Sequence, residues 1–221
     1  MPTRTYLNGS VLVLCLISGI VDVIGYLGLG HVFTANMTGN LVLIGIAIGQ
    51  AQPLAVLRSI LAFIGFVAGI ALATVIVKRG REEQIWSRGV TAALGSEALL
   101  LLIAALLSYA GDSDRNLYIL ILLLSMGMGM QTTVARHLKV AGISTTVLTN
   151  NLANVIEDTI AHFRRVNRFT ADASLRTWAV AIYCLGAVIT AVLEPHALFA
   201  SIWIPVALLV GLVTMAAIRF R

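Results

Sequence analysis

Ala55-Val-Leu-Arg-Ser-Ile-Leu-Ala-Phe-Ile-Gly-Phe-Val-Ala-Gly-Ile-Ala-Leu-Ala-Thr-Val-Ile-Val77 carries one charge, Arg58, close to its start. A helix that crosses a bilayer needs roughly 20 mostly apolar residues, and this stretch supplies them without interruption. Five more runs of the same kind lie on either side of it: Val11–Leu29, Gly89–Ala110, Leu117–Ala135, Thr177–Leu193 and Leu198–Ile218. The fold expected is all-α, a polytopic bundle of about six transmembrane helices.

Composition agrees. The 221 residues are 59% hydrophobic and 11% charged, with a mean hydropathy of +0.95. Soluble domains carry about 25% charged residues, so the solvent for most of this surface must be lipid. The chain reads as a single integral membrane domain over residues 1–221. Its net charge of +5 comes from basic residues clustered in short loops, which fits the positive-inside bias better than a nucleic-acid partner. Cys15 and Cys184 both lie inside apolar runs, which argues against a disulfide framework or a metal site. Arg4 followed by Val11–Ile17 imitates a signal peptide. No small-residue cleavage site follows, and the run continues past Asp22, so it reads as a first spanning helix.

Two segments are shorter or more polar, Thr38–Gly49 and Thr145–His162. If both enter and leave the membrane on the same side, six crossings remain. With the N-terminus inside, the loop carrying Lys78, Arg79, Arg81 and Arg88 is then cytoplasmic. So are Arg136, Lys139, the loop with Arg164, Arg165, Arg168 and Arg176, and the C-terminal Arg219 and Arg221. His31, Gln50–Pro53, Asp112, Asp114, Arg115, Glu194 and His196 fall outside. Eight crossings would place the Lys78–Arg88 loop outside, against the charge rule. Two re-entrant segments are expected instead, and irregular backbone at membrane depth requires burial in protein or a water-filled cavity.

The two segments also resemble each other. Thr34-Ala-Asn-Met-Thr38-Gly39-Asn40-Leu41 aligns with Thr145-Thr-Val-Leu-Thr149-Asn150-Asn151-Leu152 at an offset of 149 − 38 = 111 residues. Each follows a helix with a polar residue near its end, Asp22 in one case and Gln131 in the other, with a two-residue gap. Each precedes two long apolar helices. The expectation is two halves, about 1–112 and 113–221, with three crossings each, so that the second is inverted relative to the first. Inverted repeats with broken segments at matching positions point to a transporter or channel site near the midplane.

Val32-Phe-Thr-Ala-Asn-Met-Thr-Gly-Asn-Leu41, together with Gly19-Ile-Val-Asp22, Gly-Met-Gln131 and Thr145-Thr-Val-Leu-Thr149, resembles the YoaK family of bacterial multi-pass membrane proteins. The resemblance covers nearly the whole chain and implies an inner-membrane protein. It implies no activity.

The candidate path residues are Asp22, Thr34, Asn36, Thr38, Gly39, Asn40, Gln131, Thr145, Thr149, Asn150 and Asn151. Asp22 lies deep in the first span, where a carboxylate is costly and usually faces a bundle interior or a water path. It reads as a proton carrier, or as a structural acid holding the loop amides. Glu97, in Gly95-Ser-Glu-Ala98, is the second proton-coupling candidate; the alternative is a glutamate bonded to a neighbouring Ser or Thr. Thr38 and Thr149 are expected near helix N-termini, capping first-turn amides, with positive dipole ends meeting at mid-depth. Such a constriction favours neutral or anionic solutes.

Arg58 should snorkel to the interface. Gly65-xxx-Gly69 and Gly45-xxx-Gly49 read as helix-packing patterns. Glycines 25, 28, 30, 127 and 129 read as bends. Glu157, Asp158 and His162 have poor spacing for a metal and read as an ion-paired helix end. No catalytic constellation is present in the sequence, so neither an enzyme nor a cofactor is expected. The function expected is movement of a small solute, with proton coupling through Asp22 and Glu97. The alternatives are a passive channel and a non-transporting scaffold or stress protein. The partners expected are the lipid bilayer and an unidentified solute, and homo-oligomers are common for bundles this small.

Overall fold

The computed structural model describes residues 2–79, 86–111, 113–146, 148–163 and 171–220, and every regular element among them is helical. Of the positions used in the charge partition, Arg81, Asp112, Arg164, Arg165, Arg168 and Arg221 lie outside the described residues. So do the side chains of Arg79 and His196, and that of His162 at the end of the second short segment.

The chain runs through α1 (Pro2–Gly28), α2 (Met37–Gly49), α3 (Pro53–Arg79), α4 (Arg88–Leu107), α5 (Asp114–Leu138), α6 (Leu148–Phe163) and α7 (Ala171–Ala197). A 3-10 turn, Phe199–Ile202, then leads into α8 (Trp203–Arg219). Six helices are long and apolar enough to cross a membrane: α1, α3, α4, α5, α7, and α8 with its leading turn. The 13 residues of α2 and the 16 of α6 reach about 20 and 24 Å at ~1.5 Å per residue. Both fall short of a hydrocarbon core of about 30 Å.

Contacts at the helix ends fix two faces. At one face, Tyr6 of α1 meets Trp86, just before α4, and Phe220, just after α8, with ring centroids 5.0 and 5.5 Å away. Arg4 pairs with Asp172 at the start of α7, at 2.8 Å. At the opposite face Gly28 lies beside Leu198 and Phe199, and the Trp203 indole donates to the Tyr109 hydroxyl at 3.2 Å. The chain therefore begins and ends at the same face. Arg4, Lys78, Arg88, Arg136, Lys139, Arg176 and Arg219 gather there, whereas Arg58 and Arg115 belong to the other face.

Two helix pairs form the scaffold, α3 on α5 and α1 on α7; α2 leans on α3 and α6 on α7, and α4 packs against α5 and α8. Without water between helices, association depends on close packing, which small residues permit. A Cβ on Gly69 would collide with the Met126 carbonyl of α5, and one on Gly129 with the Phe66 carbonyl of α3. In the other pair Gly186 faces the Leu16 carbonyl and Gly19 faces the Tyr183 carbonyl. The four contacts match one to one: α1 maps on α5 with an offset of 129 − 19 = 110, and α3 on α7 with 186 − 69 = 117. In that register Thr132, not Gln131, occupies the position of Asp22.

Other glycines depart from expectation. Gly65 packs against the Leu122 carbonyl as anticipated, but Gly45 and Gly49 have no atom within 4 Å of an added Cβ. Gly127 and Gly129 lie inside α5 and make no bend, and Gly129 permits the close approach of α3.

Candidate functional site

Each long helix that precedes a short one ends in a loop of matching backbone shape. Gly30 and His31 have φ of 81° and 62°, and Ala141 and Gly142, 111 residues later, have 50° and 66°. Two consecutive left-handed residues turn the chain back between the helices. The loops that follow are largely buried among the helices, so their backbone amides need protein partners.

In the first loop Asp22 is that group. Its Oδ1 accepts the amides of Thr34 and Ala35, at 2.8 and 2.7 Å, and the Thr34 hydroxyl at 3.2 Å. Its Oδ2 accepts the Tyr183 hydroxyl from α7 at 2.8 Å. Asn40, fully buried, closes the loop by accepting the Phe33 amide at 2.9 Å and donating to the Phe33 carbonyl at 2.6 Å. In the second loop Asn151 repeats this, accepting the Ser144 amide at 3.2 Å and donating to its carbonyl at 2.8 Å. Thr132 bonds Thr146 at 2.9 Å. The Gln131 amide donates to the Thr145 hydroxyl, the Ser18 hydroxyl and the Leu14 carbonyl.

The helix that leaves the first loop is capped by Asn36, whose side chain accepts the Gly39 amide at 3.2 Å. Thr38, expected as the cap, is one residue inside α2, and Thr149 is one residue inside α6. The N-termini of these two short helices open on one cavity of about 510 Å³. Asn36, Thr38, Gly39 and Val42 line one side, Thr146, Leu148 and Thr149 the other, and Tyr183 completes it. No charged side chain is among the lining residues. Each helix N-terminus contributes about half a positive charge from its unpaired amides, and hydroxyl and amide groups supply the remaining polarity.

Four of the candidate residues thus meet at the cavity: Asn36, Thr38, Gly39 and Thr149. Thr34, Asn40, Gln131, Thr145 and Asn151 are buried behind it and hold the loops. Asn150 is exposed and does not line it. Asp22 touches the cavity only through Tyr183. Sequence reasoning missed Thr146 and Tyr183. The first adjoins Thr145, and the second is a hydroxyl within an apolar run, a signal of the same kind as Asp22.

Glu97 is not part of this arrangement. It sits in the middle of α4, fully buried, opposite Gly127 of α5, and neither carboxylate oxygen has a hydrogen-bond partner. Arg58 lies over Gly30 at the loop, its guanidinium where a side chain on that glycine would go. Asp158 pairs with Arg176 at 2.7 Å, the ion-paired helix end expected there.

A family described as a protein of unknown function (DUF1275) matches residues 10–215. The UPF0700 transmembrane protein YoaK of Bacillus subtilis (strain 168) is 44% identical over 222 residues, covering 99% of this chain and 98% of that protein. No solved structure matches.

Proposed function

Because this chain belongs to the DUF1275 family of proteins of unknown function, we propose from its own geometry that it moves a small solute across the membrane, through the cavity between α2 and α6. The single observation that carries the reading is that the N-terminal residues of two half-length helices line opposite sides of one cavity. A volume of about 510 Å³ lies within the ~300–1,000 Å³ of small-molecule sites. Paired positive helix ends and the absence of a lining carboxylate favour a neutral or anionic solute over a cation.

The two halves form an inverted repeat in this reading, as in transporters whose broken helices build the site. In this reading the basic face is cytoplasmic, which the positive-inside bias supports, both termini are inside, and the membrane is a bacterial inner membrane. It is a non-catalytic protein.

The test is flux into liposomes reconstituted with the protein, over a panel of small polar neutral solutes and monovalent anions. The reading expects flux for some of these, reduced by Thr38→Val and Thr149→Val, which remove hydroxyls at the two helix ends. A panel without any flux above empty liposomes sinks it. Flux that ignores an imposed proton gradient assigns a passive channel.

A further inference from the structure

The two buried carboxyl groups of the membrane region differ in one respect that decides which can carry a proton. Both backbone amides on Asp22 Oδ1 are obligate donors, and the Tyr183 hydroxyl reaches Oδ2. Asp22 is thereby committed to holding the loop. Glu97 is committed to nothing. It is fully buried midway along α4, without a hydrogen-bond partner on either oxygen, and its Cγ faces Gly127 near the middle of α5.

We infer that Glu97 is a proton-binding site which exchanges with water, separate from the cavity and from Asp22. An ionised carboxylate at this depth without a donor bears the full cost of desolvation, so the protonated form is the resting one. A metal cation would need several oxygens around it, and Leu101 and Gly127, the neighbours on that side, offer no side-chain ligand. A proton needs no coordination shell.

The elements packed against α4 bring no counter-charge to this level. Asp114, Arg115, Tyr118, Arg136 and His137 sit near the ends of α5, Arg58 and Lys78 near those of α3, and Arg219 at the end of α8. Arg88 is the first residue of α4 itself. The rest of α8 has no ionisable side chain, so the second half has no copy of the site.

The inference rests on the transport reading only for the purpose of the proton, which is coupling to solute. Its test uses no solute. Protein in liposomes is treated with dicyclohexylcarbodiimide, which adds the acid O–H across one of its C=N bonds. The O-acylisourea so formed rearranges to a stable N-acylurea, read by mass spectrometry. Labelling at Glu97 is expected, falling on the alkaline side by about tenfold per pH unit, the response of a single exchanging proton. Glu97→Gln should abolish it, Glu97→Asp should retain it, and Asp22→Asn should leave it intact.

Absence of label at Glu97, or label indifferent to pH, overturns the inference without touching the cavity. Labelled, pH-dependent Glu97 in a protein that moves no solute keeps the proton site and removes the transport reading.

Discussion

Asn40 and Asn151, 151 − 40 = 111 residues apart, make the same two hydrogen bonds to the backbone of the residue seven positions before each. Each closes the loop ahead of a half-length helix, and each is fully buried. The equivalence predicts equivalent damage. Asn40→Ala and Asn151→Ala each remove two hydrogen bonds to a part-buried backbone amide and carbonyl, at about 0.5–1.5 kcal/mol per bond. Thermal unfolding in detergent should register losses of similar size in the two variants. A large loss in one and none in the other would deny that the loops are structural counterparts.

Asp22 predicts a difference between two substitutions. Alanine leaves the Thr34 and Ala35 amides unpaired, again at about 1–3 kcal/mol each. Asparagine keeps an oxygen for those amides and can donate its NH₂ to the Tyr183 hydroxyl. Asp22→Asn should therefore lower the unfolding midpoint much less than Asp22→Ala. Equal losses would mean that the negative charge, rather than the bonds, holds the loop.

Tyr183→Phe removes the hydroxyl that joins Asp22 to the cavity while keeping the ring. Asp22 retains its bonds to Thr34 and Ala35, so the variant should fold with a loss of about 1–2 kcal/mol. Reconstituted flux should nevertheless change in rate or selectivity, because the lining becomes less polar. Unchanged flux would place the path elsewhere.

The glycines predict opposite signs. Gly129→Ala forces a Cβ against the Phe66 carbonyl on rigid backbone and should cost about 1–3 kcal/mol as overpacking. Gly45→Ala meets open space and should gain about 0.5–1 kcal/mol from helix propensity. Denaturant titration of both variants checks this; destabilisation by Gly45→Ala would reveal a neighbour packed on α2.

Much of the fold is legible in the sequence because lipid imposes a simple rule on length and apolarity. All six runs named from hydropathy reappear as long helices, and the Thr38–Gly49 run appears as α2, beginning one residue earlier at Met37. The site is less legible. Thr, Asn and Gly between apolar runs mark a re-entrant loop, but the letters do not separate a residue that faces the cavity from one that holds the loop behind it. Asn36 and Asn40 look alike in sequence, yet one caps α2 beside the cavity and the other is buried against Phe33. Asp22 meets Tyr183 across 161 positions, a pairing set by the α1–α7 glycine contacts. The register of those glycines sets Thr132 at the helical position of Asp22, while Gln131 makes the equivalent contact, bonding the Thr145 hydroxyl as Asp22 bonds that of Thr34.

A path between α2 and α6 requires that the cavity there hold water and connect with the aqueous phase. Single cysteines at Thr38 and Thr149, on a Cys15→Ser, Cys184→Ser background, test it most directly in sealed vesicles exposed to a charged, water-soluble thiol reagent. Both should react, and both more slowly when a transported solute is present. If neither reacts from either side of the membrane while a cysteine at exposed His31 does, the helix ends are dry and the protein is a scaffold rather than a path.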